Sequence, residues 1–208
     1  MPFHRLKKVF RLVLCFSFFL KINFRKGLFF LEKTYTRKKK EYSMKKTIEF
    51  DQRGYLYPYS LIELDLADFQ NHFVDIFPKS ETRQKIFANF MDYIHDFQRE
   101  IIPSFKIWID GSYTTKKLNP NDIDFVVFIP HDIYAKYELL ILEKYKTKGA
   151  AKFFSVDAYS IIVFPENDSN FVLTQYDTVY WRSWFSKTAR NRNNQCFEKG
   201  FIEINFNI

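Results

Sequence analysis

IWIDGSYTTKKLNPNDIDFVVFI, residues 107–129, decides how this chain folds. An apolar run, Ile107 to Ile109, leads into Asp110-Gly111-Ser112. A polar stretch rich in Thr, Lys, Asn and Pro follows, and Asp122-Ile123-Asp124 opens a second apolar run, Phe125 to Ile129. Short apolar runs bounded by turn residues read as strands, so 105–110 and 123–129 are expected to lie side by side. The chain has five glycines, and Gly111 stands at the exit of the first strand.

Each residue in the stretch has a chemical use. Gly111 permits a backbone angle closed to other residues and lets the main chain approach a ligand. Ser112 and the amides after it would open a short helix, whose free N–H groups favour an anion such as phosphate. Asp122 and Asp124, two apart on a strand, point to one face while Ile123 and Phe125 point to the other. Two hard oxygen ligands on one face suit Mg²⁺, which takes one or two protein carboxylates and completes its shell with phosphate and water. Lys116 and Lys117, between the two halves, would offset phosphate charge. A Gly-Ser pair alone is a common turn, and Asp beside Asn119-Pro120-Asn121 is ordinary turn chemistry. The combination in a strand–turn–strand setting is more specific.

Gly-Ser, nine residues, then Asp-x-Asp before an apolar residue resembles the signature of the DNA polymerase beta-like nucleotidyltransferase superfamily. The resemblance implies that Gly111 and Ser112 bind nucleotide phosphates and that Asp122 and Asp124 bind catalytic metal. It also implies a third acid on a later strand. Asp157, in SVDAYSIIVF, matches that role best; Glu166, Asp168 and Asp177 are rivals in polar segments. From Gly54 to the terminal KGFIEI the chain is also similar to small bacterial proteins of this superfamily. The activity implied is Mg²⁺-dependent transfer of a nucleoside monophosphate from an NTP to a hydroxyl on an RNA end, a protein or a small molecule. Minimal members include toxin–antitoxin components that modify tRNA or a partner protein, which extends the expectation to a bacterial toxin or defence role. Two other readings stand beside it: a silent nucleotidyltransferase-like regulatory or partner-binding module, and a Mg²⁺-dependent nuclease.

Charge is unevenly distributed. The net charge is +8. Residues 1–43 hold 12 Lys and Arg against 2 Asp and Glu, whereas 44–208 hold 20 against 22. The whole-chain charge is therefore no evidence for nucleic-acid binding by the second part. The apolar run Leu12–Leu20 is shorter than the ~20 residues a bilayer span needs, and Lys21, Asn23, Arg25 and Lys26 follow where a signal peptide would carry a small-residue cleavage site. A basic amphipathic anchor is one reading of 1–43. Translated upstream sequence, with Met44 as the start, is the reading favoured by its Phe/Lys-heavy composition, so membrane contact is not expected. The domain is placed at 44–208.

Cys15 and Cys196 supply neither a disulfide framework nor zinc-ligand spacing, and Cys196 reads as a free thiol in a reducing cytoplasm. His4, His72, His95 and His131 are scattered and read as structural. Arg182, Lys187, Arg190 and Arg192 would grip a triphosphate or a polynucleotide, or else form a solvated basic face. Tyr180, Trp181, Trp184 and Phe185 would stack a base or pack inward. Arg83 is equally open.

Coarse patterning completes the expectation of an α/β fold, a mixed sheet with flanking helices. An extended segment with a turn at Arg53-Gly54 spans 49–59. Helices are expected near 61–77 and 81–101, the second opened by Ser80 and ended by Pro103. A helix over 132–146, closed by Gly149, precedes a strand over 154–164. An aromatic-rich helix over 177–189 and a strand near 201–206 finish the chain.

Overall fold

The two apolar runs of the motif form the middle of a sheet. The computed structural model describes residues 48–207, so the expectations for 1–43 lie outside the described residues. In chain order the elements are β1 (Glu49–Phe50), β2 (Leu56–Tyr57), β3 (Leu61–Leu64), α1 (Leu66–Gln70), α2 (Arg83–Glu100), β4 (Phe105–Asp110), β5 (Asp124–Pro130), α3 (His131–Leu140), α4 (Lys148–Phe154), β6 (Asp157–Val163), α5 (Phe171–Phe185) and β7 (Phe201–Phe206). β1 and β2 form a small hairpin, and the other strands make one mixed sheet in the order β3-β7-β4-β5-β6. β4 runs antiparallel to both of its neighbours, while β3–β7 and β5–β6 are parallel. The fold is thus α+β, as the sequence predicts.

Period-2 alternation explains why the sheet needs cover on both sides. On one face Ile107, Ile109, Phe125, Val127, Ala158, Ile202 and Ile204 join the main core. α2 closes that face: its Phe90 and Tyr93 rings stand 5.3 and 4.9 Å from Phe125. On the other face Trp108, Val126, Phe128, Ile161 and Phe201 form a smaller cluster under Phe185 of α5. Each fully buried aromatic or aliphatic side chain contributes about 1.5–3 kcal/mol. Burial on both faces holds β4 and β5 rigid, and these two strands carry the motif.

Long-range pairing and turn chemistry move several boundaries. The helix expected over 61–77 gives up its first turn: Leu61–Leu64 pairs in parallel register with Phe201–Ile204. The helix starts after Asp65, whose carboxylate accepts the Asp68 N–H at 2.7 Å, and it continues as a π-helical turn, Asn71–Asp75. The helix expected over 132–146 is α3 followed by a second π-helical turn, Ile141–Tyr145. Gly149 lies inside the unexpected α4, where a Cβ would strike the Glu143 carbonyl. α4 takes Phe154, the first residue of the strand expected over 154–164, and the strand itself runs from Asp157 to Val163. α5 begins at Phe171, six residues earlier than expected, because Thr174 reaches back to β6: its hydroxyl donates to Ile162 O and accepts the Phe164 N–H, both at 2.9 Å.

Candidate functional site

Strand register brings three aspartates to one end of the sheet. Asp110 pairs with Asp124 across β4–β5, and Asp124 pairs with Asp157 across β5–β6. Residues opposite one another in a sheet share a face, so all three carboxylates lie on the side that α5 covers. Asp122 stands just before β5 rather than on it, half-buried beside fully buried Ile123.

The Gly-Ser turn meets these acids directly. Gly111 has φ +84° and opens a 3₁₀ turn, Ser112–Thr114. A Cβ built on Gly111 would fall on the Asp124 carboxylate. Glycine is required there twice over, once for the backbone angle and once for the space. The turn and the second aspartate of the motif therefore touch.

A buried guanidinium holds the loop after the turn. Arg83, fully buried near the start of α2, donates from Nη1 to the carbonyls of Phe73 and Tyr113 at 2.7 and 2.8 Å. From Nη2 it donates to Thr115 and Lys117, both at 2.7 Å. Burial pulls its pKa down to about 10. The Tyr113 hydroxyl returns a hydrogen bond to Arg83 O at 2.9 Å. The helix starts at Arg83 with Thr82 as its N-cap, two residues later than an N-cap at Ser80 implies, though the Ser80 hydroxyl still accepts the Arg83 N–H at 3.1 Å. Arg83 thus shapes the loop from beneath and is not presented to a ligand.

An open cleft of about 1240 Å³ lies over the aspartates. Of the residues singled out by the motif, it takes in Gly111, Ser112, Lys116, Lys117 and Asp124. Lys116 is fixed by its N–H, which donates to Gly54 O at 2.9 Å. Asp122 and Asp157 do not line the cleft, and they act on it through their charge. Burial pushes the Asp124 carboxyl up to about 7; repulsion from Asp122, Asp110 and Asp157 adds to this, against the pull of Lys199. Burial, with repulsion from Asp122, raises Asp157 as well. Glu166 and Asp168 lie in the turn after β6 and Asp177 on α5, so none of the three rivals to Asp157 is on the sheet. His72, His95 and His131 are outside the cleft; exposed Cys196 is at its edge.

Two residues central to this geometry had little local signal. Asp110 is buried and paired to buried Lys199 at 2.7 Å, while its other oxygen has no hydrogen-bond partner. Burial lifts the Asp110 carboxyl to about 6 in spite of Lys199. Lys199 approaches from a chain segment 89 residues away, so no motif window could contain both. The alternation of β4 did put Asp110 on the strand end, where it could have been read as a further acid.

Among the described residues, no three His, Cys, Asp or Glu side chains are already placed as a ligand set for a metal ion. The Asp110 carboxylate is turned towards Lys199, and the other acids remain close enough to repel. No helix among the described residues is long and apolar enough to cross a membrane.

Comparison with known proteins gives a family. No curated protein and no solved structure matches the chain. Residues 48–205, from the hairpin to the last strand, match one family along their whole length. The chain belongs to the family of unknown function DUF6932.

Proposed function

We propose that this protein is a Mg²⁺-dependent nucleotidyltransferase that moves a nucleoside monophosphate from an NTP to an acceptor hydroxyl. The observation that carries the reading is the contact of the Gly111 turn with the Asp124 carboxylate inside the cleft. The turn that would seat phosphate and the Asp124 carboxylate then face the same space, as transfer between a triphosphate and a hydroxyl requires.

The donor set fits a hard divalent cation. Asp122, Asp124 and Asp157 offer only oxygen, and Asp124 is half-buried with its repulsion unrelieved. Mg²⁺ needs only one or two protein carboxylates beside phosphate and water, so a ready-made triad is not a requirement. When bound, Mg²⁺ would neutralise phosphate charge and acidify the attacking hydroxyl.

The chain's own residues supply the rest. Asp122 and Asp124 would hold the cation, and Asp157 would either join them or accept the proton of the acceptor hydroxyl as general base. Gly111 and Ser112 seat the β- and γ-phosphates through backbone N–H groups, and Lys116 and Lys117 offset their charge. The acceptor oxygen bonds to the α-phosphorus, the bond to the bridging oxygen breaks, and pyrophosphate leaves.

Incubating the full chain with α-labelled ATP or another NTP, Mg²⁺ and cell RNA or protein tests the proposal. Label on an acceptor, absent with Asp124→Asn, supports it. RNA degradation without label transfer points to the nuclease reading. Partner binding with no label points to the silent module, including a role beside a toxin or defence partner.

A further inference from the structure

Opposite the Gly111 turn, the cleft wall is built from α5 and the segment after it. Tyr180, Trp181, Trp184, Lys187 and Arg190 all line this side. Trp181 packs down on Tyr159, with ring centroids 4.8 Å apart. Tyr180 and Trp184 face outward, 50% and 65% exposed, with their rings within 15° of parallel. Tyr176, 72% exposed, precedes Tyr180 by one helical turn. Residues four apart share a helix face, so Tyr176, Tyr180 and Trp184 make an aromatic stripe about 12 Å long.

The stripe runs into positive charge. α5 ends after Phe185, and the chain turns back through a Lys187–Glu198 bridge before entering β7. Exposed Lys187 and Arg190 lie on this return, and Arg190 is braced on the Asn194 carbonyl at 2.9 Å. Six of the cleft's lining side chains are Lys or Arg and two are Asp, although residues 44–208 as a whole carry slightly more acid than base. Positive charge is therefore gathered in the cleft of a nearly neutral domain. Lys116 and Lys117, beside the turn, suffice for a triphosphate. A second cationic wall with two outward aromatics, continued beyond the cleft by Tyr176, is more than one nucleotide can use.

We infer that the α5 wall binds single-stranded nucleic acid, which serves as the acceptor. The inference rests on the transfer reaction proposed above and names its substrate class. Bases stack on Trp184 and Tyr180, the backbone runs past Lys187 and Arg190, and the strand's terminal hydroxyl is directed to Asp124. Aromatic platforms beside a basic track are how sequence-tolerant single-strand sites are built.

The test measures fluorescence anisotropy of a labelled single-stranded RNA 12-mer with the full chain, in EDTA and without NTP. Trp184→Ala is expected to weaken binding about tenfold. Lys187→Glu with Arg190→Glu is expected to lower the slope of log affinity against log salt by one to two, roughly the loss of two phosphate contacts. These side chains are exposed, so the core is left intact. Lys152→Glu, an exposed charge change on α4, should bind as the wild type does, which separates a loss at the cleft from a general loss of positive charge. Asp124→Asn should also bind normally while losing label transfer. Cleft-dependent RNA binding by a wild-type chain that transfers no label leaves the nucleic-acid site standing and removes the reaction. Equal RNA affinity in the wild type and both cleft variants overturns the inference. So does a change of oligomeric state in Trp184→Ala with RNA affinity unaltered, which would make the stripe a protein interface. Label transfer that ignores added RNA overturns it as well.

Discussion

Of the described glycines, Gly111 leaves the least room for a side chain, because the Asp124 carboxylate lies against it. Gly111→Ala must accommodate a Cβ on top of the Asp124 carboxylate at φ +84°. The expected cost is about 1–3 kcal/mol of stability in urea unfolding, the usual range for a side chain forced into a disallowed region, together with loss of nucleotide binding. Asp124 also predicts a pH dependence. Its folded-state pKa of about 7 lies above the ordinary 3.8, so between those values the folded state keeps a proton that the unfolded chain has released. Its contribution to stability therefore falls as pH rises from about 4 to about 7. In EDTA, Asp124→Asn should melt with the wild type near pH 4 and several degrees above it at pH 8. Identical melting temperatures at both pH values would show that the carboxylate is not destabilised by burial and repulsion as described.

Among the elements, the loop 112–117 depends on α2. Arg83 supplies donors to four carbonyls, those of Phe73 and Tyr113 in buried bonds and those of Thr115 and Lys117 in partly buried ones. Arg83→Met is expected to cost about 3–5 kcal/mol in urea unfolding, because it strands buried acceptors. Arg83→Lys keeps the charge but loses the planar fork. Its signature is faster amide exchange over 113–118 than over β4, whereas uniform exchange would assign Arg83 a purely global role. The position of Arg83 was visible in the sequence and its role was not, since its partners lie 10 to 34 residues away. The same reason explains Leu61–Leu64, whose apolar pattern suits a helix until β7, at the far end of the chain, offers it a strand partner. By contrast β4, β5, β7 and α2 were readable because turn residues bound short apolar runs, or because a long stripe repeats at helical spacing. Asp124 and Gly111 were readable as a motif, but their contact was not. The motif also drew attention to Asp122 and Asp157, while the buried Asp110–Lys199 pair depends on tertiary structure alone.

At the scale of the whole molecule, the sheet is a support covered on both faces, with three aspartates gathered at one end. The side facing α2 is apolar apart from Ser160, and the side facing α5 changes from the Trp108–Phe128 cluster to aspartates within one strand length. A chain of this size keeps such a charge cluster only at a cost in stability, the pattern expected where chemistry outweighs packing. The most direct measurement is transfer of α-labelled NTP by the full chain in Mg²⁺, wild type against Asp124→Asn, with single-stranded RNA as acceptor. Labelled RNA with release of pyrophosphate, lost in the variant and in EDTA, is the expected result. Equal label in both proteins, or none in either at any acceptor or metal concentration, contradicts it.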